Sequence, residues 1–248
     1  MSHSRRLSFL LALTAVLALS PASRAAEGLY LTWNDCALAA KAAQDVTFAC
    51  GLGSVRFLYC AFGVASPVDS VLGVEVVVDV QHSAATLPDW WRFDPAGCRA
   101  GLLTAEFDFT GQSACADFLF GQATGNLLGY YPTLPRGAAN QAHIVAAGAV
   151  LPSAGYRQLG PDSVYYAARL VIDDRNTLSC AGCGGAACLV LNSITIRRQP
   201  GAPGGDVVVS VPGPDNANFA TWQGGAGANC QAVPVRAVTW GQIKCLYR

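Results

Sequence analysis

The residues with the most chemistry to offer are ten cysteines: Cys36, Cys50, Cys60, Cys98, Cys115, Cys180, Cys183, Cys188, Cys230 and Cys245. Three of them crowd into Cys180-Ala-Gly-Cys183-Gly-Gly-Ala-Ala-Cys188, a spacing that suits a thiolate metal site or a redox pair. A structural zinc site takes four ligands at close spacing, so the fourth would have to be Cys230 or a distant histidine. A thioredoxin-like pair needs a βαβ setting, which this chain does not offer. Behind an export signal, an even count of cysteines reads first as a disulfide framework. All ten are therefore expected in bridges, with no metal and no cofactor. Spacing does not fix the connectivity. The working pairing is Cys36–Cys50, Cys98–Cys115, Cys60–Cys245, and Cys230 with one member of the cluster.

Acid–base groups are scarce. Past the opening segment the histidines are His82 and His143, and the glutamates are Glu27, Glu75 and Glu106. A Ser-His-Asp set could use either histidine. The nearest approach to a nucleophile elbow is Gly111-Gln112-Ser113-Ala114-Cys115, and that motif needs a strand-to-helix turn. Glycoside hydrolysis needs a partly buried carboxyl with a raised pKa. Glu75, Asp79, Glu106 and Asp108 instead fall on the water-facing parity of their strands. No phosphate loop, dinucleotide glycine fingerprint or HExxH string occurs.

Aromatics are the remaining candidates. Trp90, Trp91, Tyr130, Tyr131 and Trp222 lie in or beside expected loops. A row of exposed rings there could stack on the faces of sugars, which makes carbohydrate a candidate ligand. Adjacent residues alternate in direction, so one of Trp90 and Trp91 must point inward.

These groups need a scaffold, and alternation supplies it. In Val71 to Gln81, residues Leu72, Val74, Val76, Val78 and Val80 share one parity, while Glu75 and Asp79 take the other. That is a half-buried strand. Similar patterns predict strands over Gly28–Trp33, Ser54–Val64, Thr104–Thr110, Gln141–Leu151, Val164–Asp173, Leu189–Arg197, Asp206–Val211 and Val233–Val238. Asn34-Asp35 can cap a short alanine-rich helix through Gln44. Residues 121 to 140, rich in Gly, Pro and Asn, read as a long loop. Thr239-Trp240-Gly241-Gln242 has the form of a capping box ahead of a short terminal helix.

Arg5-Arg6, the apolar run Leu7 to Leu19 and the small residues Ser23 and Ala25 form the three parts of a cleavable signal peptide over residues 1–25. The run is shorter than the ~20 residues of a membrane-spanning helix. Residues 26–248 are expected as one domain, without a membrane span. With Arg5, Arg6 and Arg24 removed, 13 basic residues face 16 acidic ones. That balance excludes nucleic acid, whose binding needs a basic patch.

About nine strands punctuated by Gly and Pro predict an all-β antiparallel sandwich, stapled by disulfides. An outer-membrane barrel would need apolar outward faces, whereas these carry Glu75, Asp79, Glu106, Asp108 and Arg169. The strings Trp33-Asn34-Asp35-Cys36, Leu87-Pro88-Asp89-Trp90-Trp91, Cys180-Ala-Gly-Cys183 and Thr239-Trp240-Gly241-Gln242 resemble those of uncharacterised exported Cys-rich bacterial proteins. That resemblance implies no activity. The general plan is similar to immunoglobulin-like and cohesin-like sandwiches in architecture alone. The expectation is a secreted, non-catalytic binding or structural module whose partner is a carbohydrate or another envelope protein. The alternative is a secreted hydrolase of polysaccharide or ester bonds with a loop-borne site.

Overall fold

A computed structural model describes residues 26–36, 43–112, 115–132, 138–175 and 178–230. Twelve strands run through them: β1 Gly28–Trp33, β2 Asp45–Val46, β3 Val55–Gly63, β4 Val68–His82, β5 Leu103–Glu106, β6 Thr124–Tyr131, β7 Gln141–Ala149, β8 Arg157–Leu159, β9 Val164–Asp173, β10 Ala187–Arg198, β11 Val207–Val209 and β12 Phe219–Trp222. They form two sheets. One has the order β1-β3-β9-β5; the other runs β2-β12-β10-β4-β7-β6, with β11 added on β10 and β8 on β4. Apart from β12 with β2, the paired strands are antiparallel. The fold is an all-β sandwich.

β4 is the spine of the larger sheet. Val74, Val76, Val78 and Val80 are buried against the facing sheet, as their alternation requires. Leu72 is not in that row. The β4–β10 register skips it, pairing Gly73 with Arg197 and Val71 with Arg198. Leu72 is thus the extra residue of a bulge, which shifts the phase and turns Val71 inward instead. The opposing wall is built from Leu29, Leu31 and Trp33 of β1, Leu58 and Phe62 of β3, and Leu170 and Ile172 of β9.

The stretch 121 to 140, expected as loop, contains β6. Its glycines serve packing there. Gly125 pairs with Gly148 of β7, and a Cβ on either would come within 2.5 Å of the Phe107 ring. Phe107 therefore lies across a glycine pair that a strand of larger residues would not admit. β5 ends at Glu106, earlier than expected, because Asp108 accepts from the Thr110 amide and hydroxyl and turns the chain. Phe109 then packs with Tyr30, Tyr59, Cys115 and Tyr166 in a second, smaller apolar cluster. The short strands β2, β8 and β12 carry too few residues to show alternation. The expected helix after Asn34 falls largely on residues 37–42. That segment, strand Val233–Val238 and the terminal helix lie outside the described residues.

Among the described residues four disulfides staple this body: Cys36–Cys115, Cys50–Cys183, Cys98–Cys180 and Cys188–Cys230. Cys230 does join the cluster, at Cys188. The pairs Cys36–Cys50 and Cys98–Cys115 are corrected. Sheet pairing carries Cys50 and Cys98 to the Cys180–Cys183 loop, whereas closeness in sequence had suggested local bridges. Among the described residues Cys60 makes no bridge; it is fully buried on β3, and burial pushes its pKa up. Its expected partner, Cys245, lies outside the described residues.

Candidate functional site

The tryptophans expected to line a surface platform are in the core. Trp90 and Trp91, in a 3-10 turn Asp89–Trp91, and Trp222 at the end of β12 are fully buried. The ring of Trp222 lies 4.7 Å from that of Trp90 and 5.3 Å from that of Trp91, with Trp33 at 5.7 Å. Tyr130 is buried as well, its hydroxyl donating to the Trp91 carbonyl. Of the five rings, Tyr131 alone reaches solvent. Clustered indoles removed from water contribute more to stability than they could to a surface, and four of the five are not available for stacking on a ligand.

Exposed aromatics occur elsewhere. A cleft of about 830 Å³ is lined by Asp69 and Ser70 of β4, Asp117, Phe118 and Phe120, Tyr156 to Gln158, and Tyr165 of β9. The volume falls within the usual range for small-ligand sites. Phe120 is 67% exposed and Tyr156 is 43% exposed. Tyr165 forms part of the lining, its ring against Phe62 and Phe118 and its hydroxyl bonded to both backbone groups of Gly160.

Phe120 is held outward by construction. The Asp117 carboxylate accepts from the amides of Phe109, Leu119 and Gly121, so one side chain gathers the turn. Within that turn Phe118 and Leu119 go to the core, while Phe120 takes φ 53° and faces water. A left-handed backbone on a non-glycine residue costs about 1–2 kcal/mol, and burying a phenylalanine contributes about 1.5–3 kcal/mol. Phe120 bears the first and forgoes the second. Ser70, also lining the cleft, has φ 56°. Strain of this kind tends to collect at ligand sites. The signal legible in the sequence was Asp117-Phe-Leu-Phe-Gly121, three apolar residues inside one tight turn, which cannot all point inward.

Charge in the cleft is matched. Arg198 pairs with Asp69, whose pKa is lowered first by that hydrogen bond. Arg157 spans the carbonyls of Ala154 and Gly155 and the Gln122 amide oxygen, with its guanidinium 5.1 Å from the Phe120 ring centre. Two carboxylates, Asp69 and Asp117, and one guanidinium, Arg157, line the cleft; Arg198, outside the lining but paired with Asp69, brings the charges to two of each sign.

The candidate acids and bases also have definite places. Glu75 is paired with Arg197 at 2.7 Å and Glu106 with Arg169. Asp108 is the turn residue already described. Asp79, expected to face water, is buried instead. The β4–β7 register sets it opposite His143, whose Nδ1 lies 2.5 Å from Asp79 Oδ1. On the other side the β10 register is broken between Leu191 and Ser193, which brings Asn192 round to donate from Nδ2 to Asp79 Oδ2. Sequence alternation could not place the three together, because the irregularity that re-aims Asn192 leaves no mark in composition. His82 is buried on the end of β4, its Nδ1 accepting from the Ala84 amide. Among the described residues no cluster of three or more His, Cys, Asp or Glu side chains is arranged to hold a metal ion, and no helix is long and apolar enough to cross a membrane.

No family model and no curated protein matches the chain. Among solved structures it is similar to a cohesin module from Clostridium perfringens ATCC13124 family 33 glycoside hydrolase, at 9% identity. The match covers 79% of this chain and 93% of that one, with a TM-score of 0.33. A likeness so slight carries no weight for ligand or partner.

Proposed function

We propose that the chain is an exported, non-catalytic binding module of the cell envelope or extracellular space, and that its ligand sits in the cleft around Phe120 and Tyr156. The observation that carries this reading is Phe120, an aromatic ring displayed to water on a strained turn at the mouth of an 830 Å³ cleft. Four disulfides fit an oxidising compartment, in keeping with removal of residues 1–25 as a signal peptide. The buried tryptophans and matched surface charges supply a rigid frame, which lowers the ordering cost of binding.

The test is retention of envelope and extracellular extract components on immobilised protein, compared with the double variant Phe120→Ala/Tyr156→Ala. Components held by the native chain and released by the variant are expected. Equal retention by both, or none by either, overturns the reading.

One arrangement favours the hydrolase alternative: His143 oriented by a buried Asp79 that is itself fixed by Asn192. An imidazole so held in one tautomer is the usual form of a general base. Turnover of an ester or polysaccharide panel that is lost in both His143→Gln and Asp79→Asn would establish that alternative. Its absence leaves the trio as a structural network.

A further inference from the structure

The lining of the cleft speaks to the chemistry of its occupant. We infer that the cleft binds a neutral, pyranose-based oligosaccharide, an inference that rests on the binding-module reading above. Flat rings are the first half of the match. Phe120 and Tyr156 present apolar faces at the opening, and the C–H face of a pyranose lies against such rings. Arg157 stands over Phe120, so the guanidinium helps to fix the ring's orientation.

Hydrogen-bonding capacity is the second half. Asp69, Ser70, Gln158 and Arg157 line the same space. Carboxylates accept only, guanidinium groups donate only, and a hydroxyl does both. Vicinal sugar hydroxyls can therefore donate to Asp69 and accept from Arg157 at once, adding to the bonds those groups already make. A proline-rich segment also stacks on aromatics, but it brings carbonyl acceptors and almost no donors, so it could use the Arg157 side of the lining and not the Asp69 carboxylate. An acidic polymer would meet Asp69 and Asp117 without a surplus cation, since Arg198 is already engaged by Asp69 and Arg157 by the carbonyls of Ala154 and Gly155 and by Gln122. Balanced charge selects an uncharged ligand. The left-handed backbone at Phe120 and Ser70 sets one ring and one hydroxyl on opposite elements of the cleft before any ligand arrives.

The experiment is calorimetric titration of the disulfide-intact chain with hexasaccharides of glucose (β-1,4 and α-1,4), xylose, mannose and N-acetylglucosamine, alongside oligogalacturonate and an oligoproline. At least one neutral sugar is expected to bind. Phe120→Ala and Tyr156→Ala should each weaken it by roughly tenfold or more, the factor of a contact worth about 1.4 kcal/mol. Phe120→Asn removes the ring while suiting the left-handed backbone, so it separates loss of binding from loss of folding and should bind no better than Phe120→Ala. Tyr131→Ala, outside the cleft, should leave the affinity unchanged. Binding confined to oligogalacturonate or oligoproline overturns the inference, as does neutral-sugar binding indifferent to Phe120. If no sugar binds while extract components are still retained in a Phe120-dependent way, the ligand class is wrong and the binding module stands. If that retention is also absent, both readings fall.

Discussion

Arg99 is a charged side chain entirely out of water. Its guanidinium lies 3.7 Å from the centre of the Trp90 ring and donates to the carbonyls of Trp90 and Asp173. Burial pulls its pKa down to about 10, against the opposing pull of Asp173 and Asp174. A planar cation can stack and reach two carbonyls together; a compact ammonium cannot. Arg99→Lys should therefore cost about 3 kcal/mol or more in urea unfolding, the cost of stranding a buried charge. Arg99→Met, which buries no charge, should cost less; the reverse order would show that the packing, not the cation, matters. His82 makes the second residue-scale prediction. Burial holds its pKa below the ordinary 6.5, with the backbone at Gly182 and Gly185 opposing. The folded chain thus keeps it neutral where the unfolded chain would protonate it. This contribution to stability is fully present above pH 6.5 and is lost as pH falls through the lower folded value. Melting temperature should decline below about pH 6.5, and His82→Gln should flatten that part of the slope.

At the scale of elements, the Phe107 contact with the glycine pair decides how closely β6 and β7 approach β5. A Cβ at position 148 would sit 2.4 Å from the Phe107 ring. Gly148→Ala should destabilise by about 1–3 kcal/mol, the usual cost of overpacking. Adding Phe107→Leu should recover part of it, so a double-mutant cycle shows favourable coupling. Additive losses would mean that the ring and the glycine do not meet. The same contact explains what the sequence left hidden. The long strand Val164–Asp173 was legible in its bounds, because a run of buried aliphatics requires a strand. Its faces were not, because a bulge that skips Ala167 sends Tyr166 to the smaller cluster while Ala168, Leu170 and Ile172 enter the main core. β6 was not legible, because its glycines answer to a ring far away in sequence and look locally like turn residues. The cleft was hidden for a related reason. Its walls come from β4, β8, β9 and the Asp117–Gly121 turn, which only sheet pairing brings together. The paired tryptophans, by contrast, stood out in sequence for their size, and size is what sends them to the core.

The whole molecule is tied by its bridges into overlapping loops. Cys36–Cys115, Cys50–Cys183 and Cys98–Cys180 interlock, and Cys188–Cys230 closes a fourth loop beyond them. Each such closure restricts the unfolded chain by about 2–4 kcal/mol, so reduction should lower the melting temperature sharply. Limited proteolysis offers a sharper check. The exposed turn Gln199 to Gly205 lies inside the Cys188–Cys230 loop. After cleavage there, the chain should migrate as one species without reductant and as two pieces with it. Separation without reductant would refute that bridge.

By the bridges among the described residues, a single cut between Cys36 and Cys230 parts the chain only within Gly184 to Ala187, the gap separating the Cys183 and Cys188 bridges. Gly185 in that gap is tucked against the His82 ring. Among hostile hydrolases, then, a severed copy need not fall apart: its surviving half still grips the other, and wear accumulates as scars rather than as loss.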